Sequence, residues 1–461
     1  MKRASSGSIN DGPGPSKRPD LVTIEDDEVQ EAPQPPLTPI LQQGKIYYTP
    51  IGGISVPVQE SLKVDTLSFN EIISLIRPVR SIHFVFMIDF DFFINSFPES
   101  LRSQPITIAI GRPDCPELEK ECAAYPNITV VPVVLGISFG CHHTKMMILE
   151  DEQRKVHFVL TTANMIPGDW EFKTQQIYYA FGEKKGDLES VKKSPFQADL
   201  IEYVALYKHP VQEWRDLIEH TDFSSVSDRL IFSTPGYHDE SRLDRYGHRR
   251  LSRILGERFP VDPGYIQEDR YTFVTQCSSI GSLGKTPGEW FRGEFTRSLH
   301  AGIPPANGLS SKVYLIYPCE EDVRTSCQGY GAAGSFPYKR SVHLRQPWLK
   351  SSMCKWRSKT RDRTQAAPHC KSYVKFDKRV PQWQLVTSAN VSKAAWGMEK
   401  PYRNRTQLFI RSWEMGVLIT DPSRFNIPFD YPLVPYGDAD EPFFSDVKHL
   451  KPDAFNQIIE L

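Results

Sequence analysis

Apolar and polar residues follow two rhythms along this chain, and from about residue 44 onward the rhythms take turns. The runs SIHFVFMIDF, PITIAIG and NITVVPVVL are short, rich in β-branched and aromatic residues and bounded by turn formers, which predicts strands. SFNEIISLI, DLIEYVALYKH and VQEWRDLIEH place apolar residues three and four apart, which predicts helices with one buried face. A second series, YTFVTQCSS, SKVYLIYP, QWQLVTSAN, TQLFIRS and EMGVLIT, reads as strands again. Interleaving of this kind predicts an α/β layered architecture around largely buried sheet. The polar passage DFSSVSDRL at 222–230 separates the two series, so the expected domains are residues 41–228 and 229–461.

Residues 1–40 are rich in Ser, Gly, Pro and acids and lack periodicity, so they predict a disordered tail. Within it MKR and SKRP form a weak basic import signal, and DLVTIEDDE resembles segments that add a strand to a small partner such as SUMO. MKRASSGSIN lacks the apolar centre of a secretory signal, and no apolar run approaches a membrane span. A chain kept inside the cell is expected. Its eight cysteines form no C-x-x-C pair, which argues against a zinc ribbon or a disulfide framework. The net charge of −1 says nothing about a polyanionic partner. Between Lys339 and Arg363, however, nine Lys/Arg stand against one acid, Asp362, with Tyr338, Trp348 and Trp356 nearby; that mixture suits phosphate contact with base stacking.

The two series share an internal repeat. His143-x-Lys145 precedes Asn164 by 21 residues, counted from the histidine, and His369-x-Lys371 precedes Asn390 by the same 21. TTAN and TSAN carry the asparagines, and Trp170 and Trp396 each follow six residues later. If each His-x-Lys segment is a strand, alternation puts His143 and Lys145 on one face and His142 on the other. It likewise joins His369 to Lys371 and turns Cys370 away. Packing the two copies against each other gives one site with two imidazoles, two ammoniums and two carboxamides. Imidazoles titrate near neutral pH and serve as nucleophile or acid/base, while lysines and amides hold the oxygens of a phosphoryl group as charge builds. No carboxylate cluster or zinc spacing accompanies them, so fixed cations and no metal cofactor are expected.

The paired His-x-Lys…Asn pattern resembles the phospholipase D superfamily, and FGCHHTKMM, SSIGSLG, PHCKSYV, TSANVSKAAWG and SWEMGVLI are similar to the tyrosyl-DNA phosphodiesterase family within it, over roughly residues 40–461. The resemblance implies two similar α-β-α sandwich domains related by a pseudo-twofold axis. It implies that His143 attacks phosphorus at a DNA 3′ end, forming a phosphohistidine, and that His369 protonates the departing tyrosine and then activates water. Glu414 is implied as the partner of His143 and Gln175 as that of His369. Phe139 is implied to stack on a base, and Ser279, Ser282, Ser392 and Lys393 to touch backbone phosphates. The superfamily's acid five residues after the lysine is replaced by Glu150 in one copy and Phe376, followed by Asp377, in the other; both acids are expected to be non-catalytic. The expected partners are DNA 3′ ends bearing a tyrosine or a topoisomerase I-derived peptide, with no membrane and no second subunit. The expected compartment is the nucleus, with a cytoplasmic pool second. A lipid phosphodiesterase would be expected to show an amphipathic or basic membrane-binding segment, and none is evident. A non-catalytic end-binding scaffold would not need all six His, Lys and Asn residues.

Overall fold

The computed structural model describes residues 40–52, 65–259, 271–301 and 312–460. The expected tail, with its basic and strand-adding segments, lies outside the described residues. The first half supplies β1 (Lys45–Tyr48), β2 (Pro78–Phe84), β3 (Ile106–Gly111), β4 (Ile128–Val133), β5 (Cys141–His142), β6 (Met146–Asp151), β7 (Lys155–Thr161), β8 (Gln176–Lys184) and β9 (Thr221–Asp222). The second supplies β10 (Arg229–Ser233), β11 (Gly236–His238), β12 (Tyr271–Gln276), β13 (Lys312–Ile316), β14 (Met353–Cys354), β15 (Ser372–Asp377), β16 (Val380–Thr387), β17 (Met398–Tyr402), β18 (Arg405–Ile410) and β19 (Ser412–Ile419).

These strands build the same sheet twice. One runs β1-β8-β7-β6-β2-β3-β4 and the other β10-β19-β16-β15-β12-β13-β14. β2 lies parallel to β3 and antiparallel to β6, and β12 stands in the same relation to β13 and β15. The short repeat legible in the sequence is therefore a repeat of the whole sheet path.

Both faces of each sheet are covered, which is why β6 is buried at all six positions. On one face of the first sheet, Met147 and Leu149 pack with α1 (Phe69–Ile76). That helix starts at Ser68 in a capping box closed by Glu71. A single turn, α2 (Pro167–Glu171), links β7 to β8. On the other face, Met146 and Ile148 meet α3 (Pro195–Val204) and α4 (Glu213–Glu219), and the same apolar cluster takes in Met415 and Val417 of β19. The two helices thus form a layer shared by both sheets. α5 (Gly247–Arg258) covers the far side of the second sheet through Leu251, Ile254 and Leu255. Two α-β-α sandwiches result.

Three local expectations change. SIHFVFMIDF is not one strand: β2 stops at Phe84, and Asp89 accepts the N–H of Phe92 at 2.9 Å to start a short helix at Phe90. TQLFIRS forms β18 but stays out of the large sheet; with β11 and β17 it makes a separate three-stranded sheet, of which β17 and β18 lie between α6 (Lys393–Trp396) and β19 while β11 follows β10. The basic stretch from Lys339 to Arg363 offers less stacking surface than expected, with Trp348 half-buried. Tyr338 and Trp356 are buried, and Lys350, Lys355 and Arg357 pair with Glu441, Asp440 and Asp322. These three cations hold the segment to its neighbours.

Candidate active site

Neither His-x-Lys lies inside a strand. β5 ends at His142 and β6 begins at Met146, while β15 begins at Ser372. The reason is a reciprocal exchange between the halves. β5 pairs in parallel with β19 through Cys141 and Ser412 and through His142 and Trp413, and the N–H of His143 donates to the Trp413 carbonyl at 3.0 Å. In return the N–H groups of His369 and Cys370 donate to the Thr174 carbonyl at 3.1 and 2.9 Å. Each histidine therefore hangs on the carbonyl immediately before its partner side chain, Glu414 in one case and Gln175 in the other.

Although the segment is not a strand, the opposed facing holds. His142 turns into the shared helical layer, with Nδ1 3.0 Å from the Val85 carbonyl and Nε2 3.0 Å from the Tyr207 hydroxyl. Burial lowers its pKa to about 3, so it stays neutral. Cys370 lies 3.0 Å from Gln276 Oε1, and burial pushes its thiol up to about 12. Glu150 is bound by Arg80 and Lys184, each at 2.7 Å, at the far end of β6.

His143 Nδ1 lies 2.9 Å from Glu414 Oε2, and Ser388 Oγ donates to the same oxygen at 2.5 Å. Burial would raise the Glu414 pKa, but His143 and these hydrogen bonds outweigh it and keep the carboxyl ionised. With a carboxylate on Nδ1, the neutral imidazole carries its proton there and presents a lone pair at Nε2. Burial lowers the His143 pKa below the ordinary histidine value despite the opposing pull of Glu414. His369 Nδ1 lies 2.8 Å from Gln175 Nε2, and Thr162 Oγ1 donates to Gln175 Oε1 at 2.8 Å, fixing the amide.

The lysines share an unusual environment. Both are buried, and each ammonium donates to the carbonyl of its own histidine, Lys145 to His143 at 2.9 Å and Lys371 to His369. Burial lowers the Lys145 pKa to about 8; burial and then Lys145 lower that of Lys371 to about 7. Lys371 acts electrostatically on His143, and Lys145 on His369. The two copies therefore converge on one site.

The carboxamides are not equivalent, contrary to the symmetric expectation. Asn390 is anchored through Oδ1, which accepts the N–H groups of Ser278 and Ser279 at 3.1 Å. Asn164 is anchored from its other end: Nδ2 and the backbone N–H donate to Asp169 Oδ2 at 2.9 and 2.8 Å. Asp169 is the residue that sequence reasoning missed. It is buried on α2, receives Lys173 Nζ at 2.7 Å and places Oδ2 3.3 Å from His369 Nδ1. Burial would raise its pKa, but His369 and Lys173 hold it ionised. Asp169 thus offers the acceptor that an imidazolium Nδ1–H needs. A signal existed: five residues after Asn164 stands Asp169, whereas five after Asn390 stands Ala395, a break in the repeat. Phe86 is a second omission. Its ring meets His143 edge-on at 4.9 Å and lies 5.0 Å under Lys145 Nζ.

Asp169→Asn is expected to lower kcat about 10- to 100-fold, as loss of a residue that orients a catalytic imidazole does. It should also shift the pH profile of kcat toward acid on the limb governed by His369, because the imidazolium loses its carboxylate. A profile superimposable on that of the unmodified protein would exclude this role.

The residues implied to touch substrate come from both halves of the chain. Phe139 is 90% exposed, with φ of 59° in the left-handed region, in the loop before β5. Ser279 is half-buried beside Asn390, Ser282 is exposed, and Ser392 caps α6 with Lys393 as its first residue.

A doubled sheet whose halves each bring one His, one Lys and one Asn to a common site defines a phosphodiesterase of the phospholipase D type. The crystal structure of the yeast tyrosyl-DNA phosphodiesterase has the same fold, with a TM-score of 0.67 at 20% identity over 87% of this chain and 99% of that one. The family model for tyrosyl-DNA phosphodiesterase matches residues 45–437, and this chain belongs to that family. It is 57% identical to the probable tyrosyl-DNA phosphodiesterase of Caenorhabditis elegans over 90% of this chain and 91% of the relative. Identity to tyrosyl-DNA phosphodiesterase 1 of Drosophila melanogaster is 32%, over 78% of this chain and 67% of the relative. Among the described residues no helix is long and apolar enough to cross a membrane.

Proposed function

We propose that this phosphodiesterase hydrolyses the bond between a DNA 3′ phosphate and a tyrosine, as left by a trapped topoisomerase I, through a phosphohistidine on His143. The observation that carries the reading is the pair of imidazoles with unlike partners over two shared ammoniums. Nε2 of His143 attacks phosphorus and the P–O bond to tyrosine breaks. His369 gives its proton to the phenolate oxygen as the peptide leaves. Water then attacks phosphorus, His369 takes its proton, the P–N bond breaks, and a 3′ phosphate remains. A phenol of pKa about 10 departs far more readily than a sugar alkoxide, so the tyrosine leaves and the strand stays intact.

Burial and the lysines hold the His369 pKa well below its ordinary value. A bound phosphodiester anion offsets Lys145 and Lys371, so substrate itself raises the His369 pKa and favours its protonated form. The two ammoniums take the part a divalent cation plays in other phosphoryl transfers. Glu414 supports this reading, because its Oε2 is already engaged by His143 and Ser388. Both halves complete one site within one chain, which fits a monomer. Nuclear residence follows from the substrate, and other blocked 3′ ends fall within the same chemistry.

An oligonucleotide bearing a 3′-phosphotyrosine, incubated with the protein in EDTA, should be converted to a 3′-phosphate product. No product, or product lost on adding EDTA, overturns the proposal.

A further inference from the structure

Three segments far apart in the chain meet at His248, Glu294 and Glu399, none of which the chemistry above uses. His248 is the second residue of α5, Glu294 lies on a π-helical turn (Phe291–Phe295) and Glu399 is the second residue of β17. Intervals of 46 and 105 residues separate them, so no short spacing announces the group. His248 is fully buried and both carboxylates are half-buried. Nε2 of His248 lies 2.8 Å from Glu294 Oε1, and the imidazole nitrogen and one oxygen of each carboxylate all lie within 4.8 Å of one another.

The surrounding backbone holds these segments together. Gly247 has φ of 58°, and a Cβ there would lie 2.1 Å from the Trp396 carbonyl oxygen, so glycine lets α5 start against the turn that leads into β17. Trp290 Nε1 donates to the Gly397 carbonyl at 3.0 Å, and the Glu399 N–H donates to Glu294 Oε1 at 2.7 Å. Within the π-helical turn the Phe295 N–H reaches back to the Trp290 carbonyl at 2.9 Å, a wide backbone that recurs at functional positions. Ser298 Oγ lies 2.8 Å from His248 Nδ1; by accepting that N–H it leaves the Nε2 lone pair facing the carboxylates, the way metal-binding histidines are held. Arg249 reaches Glu399 at 3.2 Å but also pairs with Asp244 at 2.7 Å, so it balances only part of the charge of two adjoining carboxylates.

We propose that His248, Glu294 and Glu399 bind one Zn²⁺, with water as the fourth ligand, and that the ion staples β17 to α5. One nitrogen and two oxygens suit zinc, whereas magnesium keeps to oxygen ligands in near-octahedral geometry. Half-exposed Glu399 gives the ion its way in. This inference stands apart from the function proposed above: the ion ties elements together and takes no part in phosphoryl transfer, so EDTA should strip it without ending turnover.

Protein stripped with EDTA, dialysed and titrated with Zn²⁺ against a fluorescent chelator should take up one ion per chain, with a Kd of about 1 μM or tighter. Its zinc X-ray absorption should show nitrogen and oxygen neighbours at about 2.0–2.2 Å and no sulfur at about 2.3 Å. Mg²⁺ should not compete. Glu399→Gln, a change at a half-exposed residue, should weaken binding about 100-fold or more, and Ser298→Ala about 10-fold. Zn²⁺ should raise the thermal midpoint of the unmodified protein and leave that of Glu399→Gln in place. His369→Ala should bind zinc as the unmodified protein does, which separates this site from the catalytic imidazoles. No uptake, sulfur ligation, uptake unchanged in Glu399→Gln, or uptake lost in His369→Ala each overturns the proposal. If Ser298→Ala fails to fold, Glu399→Gln decides alone. Loss of phosphodiesterase activity counts only against the function proposed above, because zinc is read directly.

Discussion

His143→Ala is expected to abolish turnover, a loss on the order of 10⁴-fold or more, as when a covalent nucleophile is removed, while His369→Ala is expected to leave the protein joined to DNA. The two outcomes differ because the two steps ask different things of the second imidazole. Phenolate with a pKa near 10 leaves tolerably without a proton donor, so attack by His143 still proceeds in the His369 variant. Water is a poor nucleophile without a base, so release of the phosphohistidine slows by about 10²–10⁴-fold. The adduct should therefore accumulate and appear as a slower-migrating, acid-labile band on a denaturing gel. His143→Ala should give no such band, and the double variant should match it. Equal losses in both single variants with no adduct would remove the division of roles.

Lys371→Met should cost activity and add stability. The ammonium is buried, its burial and the Lys145 cation outweigh the opposing carboxylates of Asp169 and Glu414, and its own His369 carbonyl is its hydrogen-bond acceptor. Loss of one such charge from a phosphoryl site is expected to lower kcat about 10²–10³-fold. The folded-state pKa is depressed from 10.5 to about 7, so folding must accept a charged lysine that the unfolded chain solvates better. That penalty is full below pH 7, shrinks as pH rises and is gone above about 10.5. Lys371→Met should accordingly be more stable by about 1–4 kcal/mol near neutral pH and below, the range found when buried charge is replaced by apolar side chains. The gain should fade toward pH 10 in denaturant titrations. The pH profile of kcat/KM follows from the same groups. It should fall below the ordinary histidine range as His143 takes a proton, and fall again above pH 7–8 as Lys371 and then Lys145 lose theirs. A destabilised Lys371→Met, or a flat profile from pH 7 to 9, contradicts this account.

Much of the site was legible because its parts are local. The fixed interval from histidine to asparagine shows in the sequence because β6 and β7, like β15 and β16, are consecutive strands joined by short turns. The tryptophans at matching offsets are both buried, anchoring the turn after each asparagine. The facing of His142 and Cys370 followed from backbone alternation even though the segment is not a strand. Features that break the repeat were harder to read. Asp169 matters because of where α2 places it against the opposite half, and Phe86 because it lies over His143, whereas the matching position in the second copy is Ser278. Tyr338 and Trp356 of the basic stretch looked available and are buried, because composition does not reveal which side of a loop meets the core.

By itself the sequence marked His143, Lys145 and Asn164 and His369, Lys371 and Asn390 as two matching sets of candidate residues, because side-chain type and strand spacing are properties of neighbouring residues. Only the tertiary structure decided that the sets are one site. β5 leaves its own sheet for β19, and the segment before β15 bonds back to Thr174, contacts across more than 190 residues that no local pattern encodes. That exchange puts Glu414 on one histidine and Gln175 with Asp169 on the other. Two copies of the same imidazole thereby acquire different protonation chemistry, which the sequence pattern alone, being repeated, had no means to assign.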